Sequence, residues 1–165
     1  MPWPCPVCTE VVSLSPRDCP HCQVPAAWID LLNALDFAIR RFHWWSLVGT
    51  IDKQQYRVIV DYHRRERQGM AQAAQAGEDV PLDTGLPPQT LCPLCGNSSP
   101  TLVRRCPHCG VALDTSEARQ VRYQTYLRRE IEEHGRERRL GTAQVNQMIA
   151  ETMAILDEQR GRLRT

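Results

Sequence analysis

Apolar side chains recur at helical spacing in four stretches of the chain. The first stretch runs from about Ala26 to Leu47 and carries two stripes on different faces. One stripe comprises Trp28, Leu32, Leu35, Ile39 and Phe42, and the other comprises Phe37, Trp44 and Val48. A helix that is apolar nearly all round is normally buried between neighbours, so this segment is predicted to be a core helix.

A second helix is predicted after a turn at Gly49 and Thr50. Asp52 and Gln55 have the spacing of a capping box, which marks the start of a helix. The inner face of this helix is predicted to comprise Tyr56, Ile59, Val60 and His63. On such a face, His63 is interpreted as a core or rim residue and not as a metal ligand.

The second half of the chain predicts a more polar pair of helices. The third helix is expected to start near Thr115 or Ser116, with Ser116 as its N-cap. Its apolar residues are sparse: Val121, Leu127 and Ile131. From Arg128 to Arg139 nine of twelve residues are charged, which predicts a solvated helix that extends beyond the core. The last helix is expected to start near Thr142 and to direct inward Val145, Met148, Ile149, Thr152 and Leu156.

These patterns predict a duplicated chain with residues 1–68 as the first copy, 69–90 as a linker and 91–165 as the second copy. The linker is rich in Ala, Gly, Gln and Pro, and its Ala-Gln part is expected to prolong the second helix. Matching features lie 87 residues apart at the cysteines, 88 at the Arg-Arg pairs and 92 at Gly-Thr. The offsets at Arg-Arg and at Gly-Thr differ by four residues, which is about one helical turn. An insertion of this length in the helix would leave the same face directed inward.

All eight cysteines fall in Cys-x-x-Cys pairs, and they form two sets of four. The first set is Cys5, Cys8, Cys19 and Cys22, and the second is Cys92, Cys95, Cys106 and Cys109. Ten residues separate the two pairs in each set, a spacing at which four thiolates could surround one tetrahedral zinc ion. A disulfide framework, a redox dithiol and iron or iron–sulfur ligation are the competing interpretations.

The repeated pattern C-P-x-C-x10-C-P-x-C resembles a zinc ribbon built from two rubredoxin-type knuckles. The resemblance implies two zinc ions per chain and a short β-hairpin in each copy. The implied fold class is therefore mainly α with small β, a duplicated unit of zinc ribbon followed by a helical hairpin. In that family Gly usually follows the second Cys of a knuckle, because the backbone there is left-handed. Gly96 and Gly110 fit this pattern, whereas Thr9 and Gln23 depart from it.

The other histidines give little support for catalysis. His21 and His108 are interpreted as exposed turn residues, because four cysteines already complete each site. His43 and His134 are scattered along helices. The chain has no His-Glu-x-x-His, phosphate-binding Gly-rich loop or Gly-x-Ser-x-Gly motif, and four-cysteine zinc sites have no open position. We therefore expect a protein that is not an enzyme.

Charge and exposed aromatic residues point to the partner class. Twenty basic residues oppose nineteen acidic ones, and the arginines of the second half alternate with glutamates, which favours a solvated surface. Trp44 and Trp45 point about 100° apart on a helix, so either the second copy or an external partner is expected to cover Trp44.

The chain also lacks a long apolar run and a signal-like start. We expect a cytoplasmic, zinc-stabilised adaptor or accessory subunit that binds a protein partner or itself, without a membrane partner. The alternative is a nucleic-acid-binding regulator that uses the Arg-rich half.

Overall fold

The computed structural model describes residues 2–13, 18–81, 84, 91–98 and 104–165. These residues form two short strands and four long helices. The elements are β1 (Pro2–Pro4), β2 (Val11–Ser13), α1 (Ala26–Leu47), α2 (Lys53–Gln75), α3 (Ser116–Arg136) and α4 (Thr142–Leu163). A search of the described helices finds none with the length and apolar character that a membrane span requires.

The expected fold class is wrong in its β part. Strands β1 and β2 pair antiparallel over only three residues, with Trp3 opposite Val12, and they flank the first cysteine turn. In residues 91–98 and 104–165 the only β contacts are isolated bridges, Leu91 with Ser98 and Arg105 with Ala112. Each bridge pairs the residues on either side of one cysteine turn, so its backbone hydrogen bonds do not join one turn to the other. The described residues thus form a helical fold without zinc-ribbon β-hairpins.

The first helical hairpin agrees with the sequence pattern. Asp52 caps α2 by accepting a hydrogen bond from the backbone N–H of Gln55 at 2.8 Å, and the Gln55 side chain accepts from the Asp52 N–H at 3.0 Å. The predicted capping box is confirmed. Helix α2 continues to Gln75, so the Ala-Gln part of the predicted linker is helical. Most of the remaining linker lies outside the described residues, and the proposed domain boundaries stay a prediction.

Helix α3 differs from its prediction in two respects. Its N-cap is Thr115, which accepts from the N–H of Ala118 at 3.2 Å, whereas Ser116 is already helical. The segment from Arg128 to Arg139 does not extend into solvent as expected, because Ile131 and His134 are fully buried and the helix ends at Arg136. Charged residues stand between Ile131 and His134 in the sequence, so the buried face of the helix is difficult to recognise there.

Both helical hairpins contribute to one core. Trp45 lies at its centre with no exposed surface, and its ring meets Phe42 edge-on at 5.7 Å between ring centroids. Residues of all four helices pack in this cluster, among them Leu31, Ile59, Leu127, Ile131 and Met148. Tyr123 of α3 contacts Phe37 of α1 at 5.8 Å. The polar second hairpin therefore does cover most of the apolar α1.

The hairpin turns match at an offset of 89 residues and not at 92. Gly49 and Arg138 both have left-handed backbone just after a helix, with φ of 81° and 58°. Asp52 and Gly141, also 89 residues apart, are the N-caps of α2 and α4. The proposed match of the two Gly-Thr pairs is wrong, because Gly49 follows the end of α1 whereas Gly141 precedes the start of α4.

Candidate metal centres

The four cysteine turns have one backbone arrangement. In each turn the carbonyl of the first Cys accepts from the N–H four residues later, at 2.8 to 2.9 Å. The N–H of the same Cys donates to the carbonyl five residues later, at 2.9 to 3.0 Å. The shared pattern matches the knuckles that the sequence resemblance implies.

The residue after the second Cys is left-handed in all four turns. Thr9 and Gln23 have φ of 66° and 60°, and Gly96 and Gly110 have φ of 74° and 76°. This confirms the expected geometry of the first set despite its lack of glycine. A left-handed non-Gly residue costs roughly 1–2 kcal/mol, so the first set contains local backbone strain that the second set lacks.

Within each set the sulfur atoms lie at the separation of ligands around one ion. The distance from Sγ of Cys5 to Sγ of Cys22 is 3.8 Å, and that from Cys92 to Cys109 is 3.6 Å. Four sulfurs placed tetrahedrally at about 2.3 Å from zinc would be about 3.8 Å apart, whereas a disulfide needs about 2.05 Å. All eight cysteines are free thiols. The two sets could therefore each hold a metal ion.

Hydrogen bonds favour thiolates in the second set. The backbone N–H groups of Leu94 and His108 point at Sγ of Cys92 and Cys106, at 3.4 Å in both cases. The backbone N–H of Asn97, aided by its side-chain amide at 3.4 Å, lowers the pKa of the Cys95 thiol to about 6. A thiol must lose its proton to ligate a metal, and the donors favour this at Cys95, whereas burial raises the pKa of Cys92 and the pKa of Cys109 is raised to about 12.

The two sets have different surroundings. The first set packs on the main core, with Cys5 and Cys19 buried. Arg67 of α2 fixes it by donating to the carbonyl of Pro6 at 2.9 Å and to Asp36 of α1 at 2.6 Å. The second set forms a separate small cluster, and Cys95 and Cys109 are exposed. The second set is thus more accessible to solvent than the first.

The turn histidines lie outside both sulfur sets, as the sequence interpretation proposes. His21 and His108 are exposed, and the ring Nε2 of His108 lies 3.1 Å from the carbonyl oxygen of Ser98. His43 is exposed on α1 and its ring lies against Tyr56.

A third group of potential ligands lies in the helical core, and sequence reasoning missed it. His63 of α2 and His134 of α3 are fully buried, with their Nε2 atoms 2.7 Å apart. Glu130 has an oxygen 4.0 Å from Nε2 of His63. His63 was expected to be a core residue, but its partner was not foreseen. The available signal was the spacing of Leu127, Ile131 and His134, which places all three on one helix face.

Burial controls the electrostatics of this third group. Burial and the neighbouring His63 lower the pKa of His134 to about 3, which keeps its ring neutral. Burial also raises the pKa of Glu130. Although burial raises the pKa of Glu66, hydrogen bonds from His63 and Tyr62 outweigh it and lower that pKa.

Comparison with known proteins adds no relative. No protein-family profile matches the chain, and no curated protein or solved structure is detectably similar to it.

Proposed function

We propose that this chain is a zinc-stabilised adaptor, without catalytic activity, that binds a protein partner through the end of α1. The observation that carries the proposal is an exposed apolar surface formed by Trp44, Leu47 and Val48, here named the α1-end patch. Their side chains are 51%, 69% and 51% exposed, respectively. The residue spacing of three and four places them on one helix face.

The contrast between adjacent tryptophans supports a binding role for the patch. Trp45 is fully buried and anchors α1 in the core, whereas about half of the Trp44 side chain is exposed. Because the core holds α1 rigid, its exposed aromatic side chain would lose little conformational entropy when a partner binds. Tryptophan is enriched among the residues that dominate protein–protein affinity.

The charges beside the α1-end patch favour a different protein over a second copy. Arg40 is exposed one helical turn before Trp44, and Lys53 is exposed at the start of α2. If two chains associated through this patch, Arg40 and Lys53 of one chain would either approach the same residues of the other or remain at the rim of the interface. We propose a partner surface with an apolar groove and an acidic rim.

Zinc in both cysteine sets fits this role. Four thiolates at tetrahedral separation complete the coordination of a structural zinc ion and leave no open position for chemistry. The first cysteine set packs on the shared helical core, and the second forms a separate small apolar cluster. Structural metal ions commonly stabilise domains of this size.

The nucleic-acid alternative has weaker support. Several arginines of the second half lie beside acidic groups: Arg128 with Glu132, Arg136 with Glu133, and Arg162 with Glu158. Such pairs reduce the positive potential that would attract a phosphate backbone. A salt-dependent shift of labelled single- or double-stranded DNA and RNA by the purified chain would favour this alternative.

Site-specific photocrosslinking tests the proposed adaptor function. A photoreactive residue at Leu47 should capture a defined protein in the native host, whereas one at exposed Asp157 on α4 should not. The captured protein is then purified and titrated with the wild-type chain and with Trp44→Ala. Loss of about tenfold or more in affinity supports the proposal. Equal affinity of both chains would contradict it.

A further inference from the structure

The core between α2 and α3 brings three ligand-type side chains together. His63 and His134 direct their Nε2 atoms at one another at 2.7 Å, and Glu130 approaches the same point. The ligand atoms of these three residues all lie within 4.8 Å of one another. Phe42 closes one side, with its ring stacked on His63 at 5.6 Å. The arrangement joins a helix of each half of the chain.

A second layer of polar residues orients this group. Glu66 lies one turn after His63 and has an oxygen 3.5 Å from its Nδ1. Tyr126 lies close enough to Glu130, and Tyr62 to Glu66, for the two members of each pair to influence each other's pKa. A carboxylate at the far nitrogen of a histidine is the usual support for a metal-ligating imidazole.

We propose that His63, Glu130 and His134 bind a divalent first-row transition metal ion at this point, as a third metal site that clasps α2 to α3. Two imidazole nitrogens and one carboxylate oxygen form a donor set that suits such ions. The metal charge would balance the carboxylates of Glu66 and Glu130. His63 is 0% and Glu130 14% exposed, so the ion would be largely shielded from bulk solvent, and its remaining coordination position would be filled by water.

Arg139 is the competitor of the metal. Its Nε donates to Nδ1 of His134 at 2.8 Å, and its guanidinium lies over the ring of Tyr62 at 4.6 Å. An arginine remains charged, so the Nδ1 atom that accepts this bond carries no proton, and Nε2 of neutral His134 carries it instead. Ligation of the neutral ring through Nε2 moves its proton to Nδ1, where two donors would then face each other. Metal binding therefore requires Arg139 to leave His134.

The required movement of the rings is small. Two imidazole nitrogens at about 2.05 Å from a tetrahedral ion are about 3.3 Å apart, so the rings separate by about 0.6 Å. The Glu130 oxygen closes on Nε2 of His63 by about 0.7 Å and on the His134 ligand atom by up to about 1.5 Å. Helix α3 ends at Arg136, and Arg139 follows in the turn, so releasing its side chain from His134 breaks no helix hydrogen bond of α3.

Cobalt and zinc titration of the full-length chain tests this proposal. With both cysteine sets filled, the wild-type chain should take up one further equivalent of Co²⁺. That ion should show the weak d–d bands of nitrogen and oxygen ligands without added thiolate charge transfer. His63→Gln and His134→Gln should lose this equivalent, and exposed His43→Gln should retain it. The thiolate bands and helical circular dichroism serve as the check that each variant is folded.

Two further variants keep the test independent of core damage. Arg139→Gln removes the competitor and should bind the third ion more tightly than the wild type. Glu66→Gln removes the positioning carboxylate and should weaken binding by about 10–100-fold. The proposal is overturned if the folded wild-type chain binds only at its cysteines, if His43→Gln alone loses the extra ion, or if Arg139→Gln binds it more weakly.

Discussion

Gln55 and Gln144 exchange two amide hydrogen bonds where the helical hairpins meet, at 2.7 and 2.8 Å. Each amide also donates to the turn of the opposite hairpin, Gln144 to the carbonyl of Thr50 at 3.1 Å and Gln55 to that of Arg139 at 3.5 Å. The same side-chain oxygens accept from the N-cap residues of α2 and α4. One pair of glutamines thus connects both helix starts and both turns.

The glutamine pair should be energetically coupled. Gln55→Ala and Gln144→Ala should each lower the free energy of unfolding by about 1–2 kcal/mol, because each removes a cap and leaves partner groups unsatisfied. The double variant should lose less than the sum by at least about 0.5 kcal/mol. Urea unfolding of the four chains measures this coupling. Gln72→Ala, at an exposed position of α2, is the control, and strict additivity would contradict the coupling.

Trp45 should depend on Glu151 for its hydrogen bond. The indole N–H donates to a carboxylate oxygen of Glu151 at 2.7 Å, across from α1 to α4. Glu151→Ala leaves that buried donor unsatisfied and should cost about 1–3 kcal/mol. Glu151→Gln should cost less, because its amide oxygen can still accept. Exposed Glu158→Ala should stay within about 0.5 kcal/mol, and equal losses for both alanine variants would refute the role of this bond.

Adjacent tryptophans should respond in opposite ways to substitution. Trp45→Ala should lower the free energy of unfolding by about 3–5 kcal/mol, because it empties the centre of the core. Trp44→Ala should change stability by about 0.5 kcal/mol or less and should weaken partner binding. Thermal melting beside a binding isotherm separates the two effects. A sharp loss of melting temperature for Trp44→Ala with unchanged association would make Trp44 a core residue.

Glycine at the strained knuckle positions should stabilise the first cysteine set. Thr9→Gly and Gln23→Gly remove a left-handed penalty of roughly 1–2 kcal/mol but add flexibility to the unfolded chain, so each should gain about 0.5–1 kcal/mol. Gly96→Ala is the matched reverse change, since open space surrounds Gly96 and only its φ of 74° opposes a side chain. Chelator titrations should show later metal release for the glycine variants and earlier release for Gly96→Ala. The opposite order would be inconsistent with backbone strain.

Two zinc ions should be bound through the cysteines. Binding at structural zinc sites contributes about 10–16 kcal/mol that is also folding free energy, so strong chelators should unfold the cysteine turns. Cys22→Ser and Cys109→Ser should each remove one sulfur-bound metal ion, as counted from the cobalt–thiolate charge transfer. Retention of two such ions in either variant would contradict the ligand assignment.

The sequence was sufficient to predict local features that depend on few residues. The bounds of α1, the capping box of Asp52 and Gln55, and the left-handed positions after the cysteine pairs each follow from short-range rules. The grouping of the cysteines follows from their spacing. These features required no knowledge of the tertiary contacts.

Features that depend on contacts between the two halves were not predictable in the same way. His134 lies in a highly charged segment, and only the packing of α3 on α1 and α2 shows that its ring is inside. Tyr126 is almost fully buried, although the apolar pattern of the third helix did not include it. The Gly-Thr match was misleading because identical residue pairs serve a helix end in one copy and a helix start in the other.

The reciprocal contacts of Gln55 and Gln144 make the junction between the hairpins isologous, like the interface of a symmetric homodimer. Each hairpin offers the other the contacts that it receives. A hairpin of one molecule could therefore occupy the place of its counterpart in a neighbouring molecule, with the same hydrogen bonds formed. At high concentration or after partial unfolding, this chain is expected to form domain-swapped dimers through these contacts.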